Sequence, residues 1–88
     1  MPTVSRFLGI TVSLYYNDHP PAHFHAEYQG YKVKVEIETC EVTEGHFPVG
    51  ARRVLLRWAE ARREELMENW RRARAEEPLE RIAGADVD

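Results

Sequence analysis

The sequence predicts an α+β fold, an antiparallel β-meander of three to four strands followed by one long C-terminal helix. Apolar and polar residues alternate over residues 8–16, 23–28 and 31–38, which is the period of half-buried strands. The connections between these segments are short and contain turn-forming residues. From Pro48 onward the apolar spacing changes to that of an amphipathic helix.

Length and composition indicate one globular domain. The chain has 88 residues, of which 43% are hydrophobic and 31% charged, a balance that excludes a disordered chain. We expect a single domain over residues 1–77 and a flexible acidic tail over 78–88, since Pro78 ends the helical pattern. The single cysteine, Cys40, excludes an internal disulfide and suits a reducing compartment. No segment has the pattern of a signal peptide or a spanning helix, so we expect a cytoplasmic protein without a membrane partner.

A stiff loop is expected between the first two predicted strands. Residues Asn17 and Asp18 favour turns, and Pro20 and Pro21 cannot donate hydrogen bonds to a sheet. Each proline also pushes the residue before it toward extended geometry. The loop should therefore hold His19 in a defined position.

The dipeptide Gln29-Gly30 predicts a hairpin between the strands at 23–28 and 31–38. The expected cross-strand partners are Glu27 with Lys32, Ala26 with Val33, His25 with Lys34, Phe24 with Val35, and His23 with Glu36. This register matches the apolar faces and places an acid opposite a base, so it is strongly specified. A weaker fourth strand is expected from Glu41 to Phe47, ending at Gly45.

The predicted helix runs from Pro48 to about Glu77 and would be about 45 Å long, more than a four-stranded sheet needs. Its distal part should project or pack against another chain. The candidate partner-binding residues there are Arg62, Leu66, Trp70 and Ala73. Arg62 interrupts the apolar stripe, but its aliphatic stem can cover apolar surface.

Charge is unevenly distributed along the chain. Residues 48–75 carry eight arginines and four glutamates, while the whole chain has a net charge of -3. This basic segment favours an acidic partner, and the alternative is a solvated helix with internal Glu–Arg pairs. We expect a homo-oligomer or a small protein partner. Nucleic acid is less favoured because glutamates are interleaved with the arginines.

The histidines around the stiff loop form the one candidate site for chemistry. His23 and His25 lie two apart on a strand, so both rings leave the same face, with Glu27 next along. With His19 folding back from the loop, these four residues are candidate ligands for zinc or another divalent first-row metal. A lysine opposite His25, Lys34, argues against a cation there.

Two alternatives to metal binding remain open for this cluster. His23 and His25 could act as general acid and base on a phosphodiester, because imidazoles titrate near neutrality. They could also be solvent-facing residues without a function.

Beyond these patterns, the chain resembles the small bacterial domain-of-unknown-function family 4160. The matching segments are Met1 to Ile10, Tyr15 to His19, His23 to Tyr28, Ile37 to Thr39, Glu44-Gly45, Trp58 to Glu60, and Asn69-Trp70. The resemblance extends to about residue 75, and it includes His19, His23 and His25 position by position. It implies a short prokaryotic protein, often encoded beside another small protein in an arrangement suggestive of toxin–antitoxin modules. It implies no established activity, and Cys40 stands where the family usually has a turn glycine.

Three alternative functions therefore follow from the sequence, of which the first is favoured. The first is a partner-binding component of a toxin–antitoxin-like two-gene module. The second is a divalent-metal-binding protein that uses His19, His23, His25 and Glu27. The third is a ribonuclease-like toxin in which His23 and His25 act as acid and base.

Overall fold

A five-stranded antiparallel sheet in simple meander order forms the centre of the computed structural model, which describes residues 2–86. The strands are β1 Thr3–Phe7, β2 Ile10–Ser13, β3 His23–Tyr28, β4 Tyr31–Glu36 and β5 Glu41–Gly45. The helices are α1 Val49–Ala61 and α2 Arg63–Arg74. The α+β class and the meander are as predicted. The sheet has five strands rather than the predicted three to four, and two helices replace the predicted single long helix.

The additional strand arises from a hairpin turn inside the predicted first strand. Leu8 and Gly9 have φ angles of 51° and 80°, and they connect Phe7 to its cross-strand partner Ile10. A two-residue turn with two positive φ angles matches the twist of the flanking strands. The sequence did not reveal this turn, because Leu8 is an unusual residue for it and also fits the apolar alternation.

The β3–β4 hairpin has the predicted register, from Tyr28 opposite Tyr31 to His23 opposite Glu36. Its turn residues, Gln29 and Gly30, have φ angles of 47° and 84°. In the next connection Cys40 has a φ of 57°, in the left-handed region that favours glycine. The final strand, β5, ends at Gly45, the residue at which the weaker strand was expected to end.

The predicted long helix is divided at Arg62, where φ is -113° and ψ is 21°. A straight helix of about 45 Å would exceed the longest dimension of the domain, 34 Å. The break lets both helices cover the same sheet, so that Leu66 and Ala73 are buried, as are Leu55 and Trp58. The distal stripe therefore packs within the chain instead of projecting from it.

The segment after Pro78 also differs from the loose tail that was expected. Ile82 is buried and donates its backbone N–H to the carbonyl of Val4 at 2.8 Å. The indole of Trp58 donates to the carbonyl of Ala83 at 2.7 Å. These contacts attach the segment to β1 and α1, while Val87 and Asp88 lie outside the described residues.

One face of the sheet forms the core with the helices. Alternate residues of β3, Phe24 and Ala26, point into this core, so His25 and Glu27 point to the opposite face. Within residues 2–86 neither helix has the length and apolar character needed to cross a membrane.

Candidate metal centre

Asp18, His23 and His25 bring one carboxylate and two imidazoles together at the start of β3. Their potential ligand atoms all lie within 4.8 Å of one another. The Oδ2 atom of Asp18 is 2.8 Å from Nε2 of His23 and 3.5 Å from Nε2 of His25. Two ligands of a first-row metal, each at about 2.1 Å, are roughly 2.9 to 3.4 Å apart at coordination angles of 90 to 109°. The two distances are close to this range.

The ring of His23 faces an acceptor on each side. Its Nδ1 lies 2.8 Å from the carbonyl oxygen of Pro21, which can only accept, so Nδ1 carries a hydrogen. Its Nε2 lies beside the carboxylate of Asp18. If Nε2 had only a lone pair, it would repel the carboxylate at 2.8 Å. A hydrogen or a metal ion must therefore lie between Nε2 of His23 and the carboxyl group of Asp18.

The carboxyl group of Asp18 is ionised at neutral pH. Burial raises its pKa, but the backbone N–H of His19 and the rings of His23 and His25 outweigh burial, so the net pKa is below 3.8. The pKa of His25 is lowered from 6.5, first by burial and also by His23 and Lys34, against the opposing effect of Asp18. Metal ligands must be deprotonated, and at neutral pH Asp18 and His25 are.

The C-terminal end of α2 holds the loop that carries Asp18. The carbonyl of Ala73 accepts the N–H of Asn17 at 3.3 Å, and the guanidinium of Arg74 donates to the carbonyl of Asp18. The indole of Trp70 lies against the ring of His23, with 5.1 Å between ring centroids. The loop is therefore fixed by tertiary contacts as well as by its prolines.

Access to the cluster is from one side. The His23 side chain is only 4% exposed, whereas those of His25 and Asp18 are 30% and 24% exposed. The ring of Tyr15 packs edge-on against His25, with centroids 4.5 Å apart. The buried imidazole fixes the geometry, while the other two side chains open toward solvent.

Two of the four predicted metal ligands are in the cluster and two are not. His19 has an exposed side chain and contributes its backbone N–H, which donates to Oδ1 of Asp18 at 2.9 Å. The carboxylate of Glu27 forms an ion pair with Lys32 at 3.4 Å. The lysine that argued against a cation, Lys34, has its ammonium 3.1 Å from a carboxylate oxygen of Glu44, which offsets its charge.

Sequence reasoning missed Asp18 as a functional residue. Asp18 follows Asn17 and stands two residues before a proline pair, which is the pattern of a turn former, yet its side chain contacts His23, five residues later in the chain. The sequence feature that could have identified Asp18 is an acidic residue at the start of a stiff loop, directly before a strand with alternating histidines.

The predicted partner-binding residues do not form a surface. Leu66 and Ala73 are buried in the core, and Trp70 is partly covered by His23. Arg62 forms an ion pair with Glu65 at 3.2 Å.

Comparison with known proteins identifies a family match. The model of a family described as "Domain of unknown function (DUF4160)" matches residues 9–71, which include the whole cluster. No curated protein and no solved structure matches the chain significantly.

Proposed function

The chain belongs to the DUF4160 family, whose description assigns no activity, and we propose from the geometry that it binds a divalent metal through Asp18, His23 and His25. The observation that carries this proposal is the convergence of one carboxylate and two imidazoles, in which Oδ2 of Asp18 lies 2.8 Å from Nε2 of His23 and all three ligand atoms lie within 4.8 Å of one another. The hydrogen bond from Nδ1 to Pro21 supports a metal in that position. Metal-bound histidines almost always donate their other ring N–H to a carboxylate or a backbone carbonyl.

Two imidazoles and a carboxylate select a particular class of metal. This donor set suits zinc and first-row metals such as iron, cobalt and nickel, and it is poorly matched to magnesium or calcium, which prefer oxygen ligands. Three protein ligands leave at least one coordination position for water or a small molecule. The partial exposure of Asp18 and His25 supports an open position on the solvent side of the cluster. We therefore propose a site with an exchangeable ligand rather than a closed structural site.

The ribonuclease alternative has less support. A general acid or base must reach the proton that it transfers, and the His23 ring is buried with an acceptor near each nitrogen. His25 alone would then have to act from the exposed side.

A role in a toxin–antitoxin-like pair stays a prediction, as do the cytoplasmic location and the homo-oligomeric state. The four residues first assigned to a partner surface no longer support it, because the core of the chain itself covers Leu66 and Ala73.

The test is isothermal titration of zinc and of nickel into untagged protein. We expect a 1:1 complex whose affinity falls at least about tenfold in Asp18→Asn, His23→Ala and His25→Ala. The matched controls are His19→Ala and His46→Ala, which remove exposed imidazoles outside the cluster and should leave the affinity unchanged. Circular dichroism of each variant separates ligand loss from unfolding.

An assay of single-stranded RNA cleavage on the same proteins distinguishes the alternatives. Metal binding without cleavage supports the proposal. Cleavage that is lost in His25→Ala and needs no metal would favour the ribonuclease. Equal zinc affinity in the cluster variants and the controls would contradict the proposal.

A further inference from the structure

The arginines of the two helices differ in whether they have ionic partners. In α2, Arg71 lies 2.8 Å from Glu68 and 3.1 Å from Glu77, and Arg72 lies 2.9 Å from Glu68. In α1, three exposed arginines form no ion pair within residues 2–86, namely Arg52, Arg53 and Arg57. The reason is in the sequence, because α1 contains a single acidic residue, Glu60. A protein with a net charge of -3 thus presents one basic helix face, formed by Arg53 and Arg57, which are one helical turn apart.

This basic face borders an apolar groove. The groove has a volume of about 430 Å³ and lies between α1, the β1–β2 turn and the C-terminal segment. Its apolar lining includes Leu8, Val54, Ala61 and Ala85. The Leu8 side chain, at the turn, is 60% exposed. A second cavity of about 290 Å³ shares Leu8 and Val54 with the first and extends the groove along α1.

The groove is separate from the metal centre. Leu8 precedes β2, whereas the loop carrying Asp18 follows it, so the two features lie at opposite ends of that strand. A ligand in the groove would therefore bind independently of the proposed metal site.

We infer that this groove binds an acidic amphipathic segment of another protein. Apolar side chains would cover Leu8 and Val54, and carboxylates would pair with Arg57, which lines the groove, and with Arg53, one helical turn away. Charge complementarity makes this occupant more favourable than a second copy of the chain. A two-fold contact through this face would place the arginines of both copies together.

The lining also distinguishes a peptide from single-stranded nucleic acid. Binding of unpaired bases relies on exposed aromatic faces. Two aromatic residues line the groove among those that the structure describes. Trp58 is 3% exposed and hydrogen-bonded to the carbonyl of Ala83, and Tyr28, in the smaller cavity, is partly buried with its ring packed against Phe47. Because these aromatic rings are largely covered, we expect the neighbouring arginines to pair with the carboxylates of a protein segment that is folded or folds on binding.

The probe is a fluorescein-labelled 16-residue peptide with leucine at positions i, i+3, i+4 and i+7 and glutamate at most others. Fluorescence polarisation measures its affinity for the full chain, and amide chemical shifts locate the contact. We expect saturable binding with the largest shifts at Val54 and Ala61.

Two variants and a control test the assignment. Arg57→Glu should weaken binding about tenfold, because charge reversal replaces attraction by repulsion. Leu8→Asn should also weaken binding, because it removes the exposed apolar side chain. Asparagine tolerates the positive φ of the turn, so the fold is retained. Arg81→Glu makes the same charge change at an exposed arginine outside the groove and should leave the affinity unchanged.

The inference is overturned if the peptide does not bind at about 1 mM. It is also overturned if the control Arg81→Glu loses as much affinity as Arg57→Glu and Leu8→Asn, which would indicate a non-specific effect. A third contrary result is that a single-stranded oligouridine binds the same residues more tightly than the peptide, which would assign the surface to nucleic acid.

Discussion

The Nε2 atom of His23 lies 2.8 Å from the Oδ2 atom of Asp18, and the other nitrogen of the same ring donates to a backbone carbonyl. This arrangement leaves Nε2 as the atom that must share a hydrogen or a metal ion with the carboxyl group. The rest of the fold holds these two side chains at that distance. The first prediction concerns the residue that packs against the ring.

Trp70→Ala should reduce both stability and metal affinity. The indole lies against His23 and is partly buried, so its loss should cost about 2 to 3 kcal/mol of unfolding free energy, less than at a fully buried site. Zinc affinity should also fall, because the ring of His23 loses the contact that orients it. Trp70→Phe keeps an aromatic ring there and should recover most of both quantities. Urea unfolding and zinc titration check this, and unchanged affinity in the alanine variant would show that Trp70 does not position the ring.

The stability of the metal-free protein should decrease as pH falls below about 6.5. The folded state lowers the pKa of His25, first through burial, so between the two pKa values the unfolded chain binds more protons at this residue. Stability therefore rises with pH through this window and levels off above the unfolded value near 6.5. His25→Gln should flatten this part of the profile. Urea unfolding in steps from pH 5 to pH 8 measures the slope, and a rise in stability on acidification would contradict it.

Gly45→Ala should destabilise the sheet strongly. Gly45 has a φ of 83°, and a Cβ atom there would lie 2.0 Å from the carbonyl oxygen of Lys32 in the neighbouring strand. The backbone would have to move, and we expect a loss above about 2 kcal/mol. The matched control is Gly50→Ala in α1, where a Cβ meets nothing within 4 Å. Helix propensity predicts that this control gains up to about 0.5 kcal/mol. Similar melting temperatures for the two variants would contradict the prediction.

Asn69→Ala should release the C-terminal segment. The buried Asn69 amide donates to the carbonyl of Glu80 at 2.8 Å and accepts the backbone N–H of Glu80 at 2.9 Å. Removing both hydrogen bonds should cost about 2 kcal/mol. Limited proteolysis should then cleave between Pro78 and Arg81 faster than in the native protein. Equal cleavage rates would show that the contacts of Ile82 and Ala83 hold the segment without Asn69.

The local parts of the fold could be predicted from the sequence. The register of the β3–β4 hairpin follows from alternation and one turn, because a slip of one residue would expose Phe24 and bury His25. The division at Arg62 could not be predicted in this way. The apolar stripe resumes on the same face after Arg62, so the pattern is that of one helix, whereas a straight helix of that length would exceed the 34 Å longest dimension of the domain.

The candidate site was predicted in part for a similar reason. His23 and His25 share a face through the two-residue period of a strand, which any sequence reading reveals. Asp18 joins them through a loop whose course depends on α2, more than fifty positions later in the chain. Leu66 and Ala73 were predicted to bind a partner, but they are buried within the chain. An apolar helix stripe does not indicate whether the residues that cover it belong to the same chain or to another.

The most direct test of the metal centre is the long-range ¹H–¹⁵N spectrum of the histidine rings, recorded before and after addition of one equivalent of zinc. We predict that the Nε2 resonances of His23 and His25 shift on zinc addition while Nδ1 of His23 keeps its proton. The rings of His19 and His46 should not change. If zinc leaves the His23 and His25 signals unaltered, or moves only those of His19 and His46, a hydrogen rather than a metal ion lies between His23 and Asp18, and the proposed metal centre is wrong.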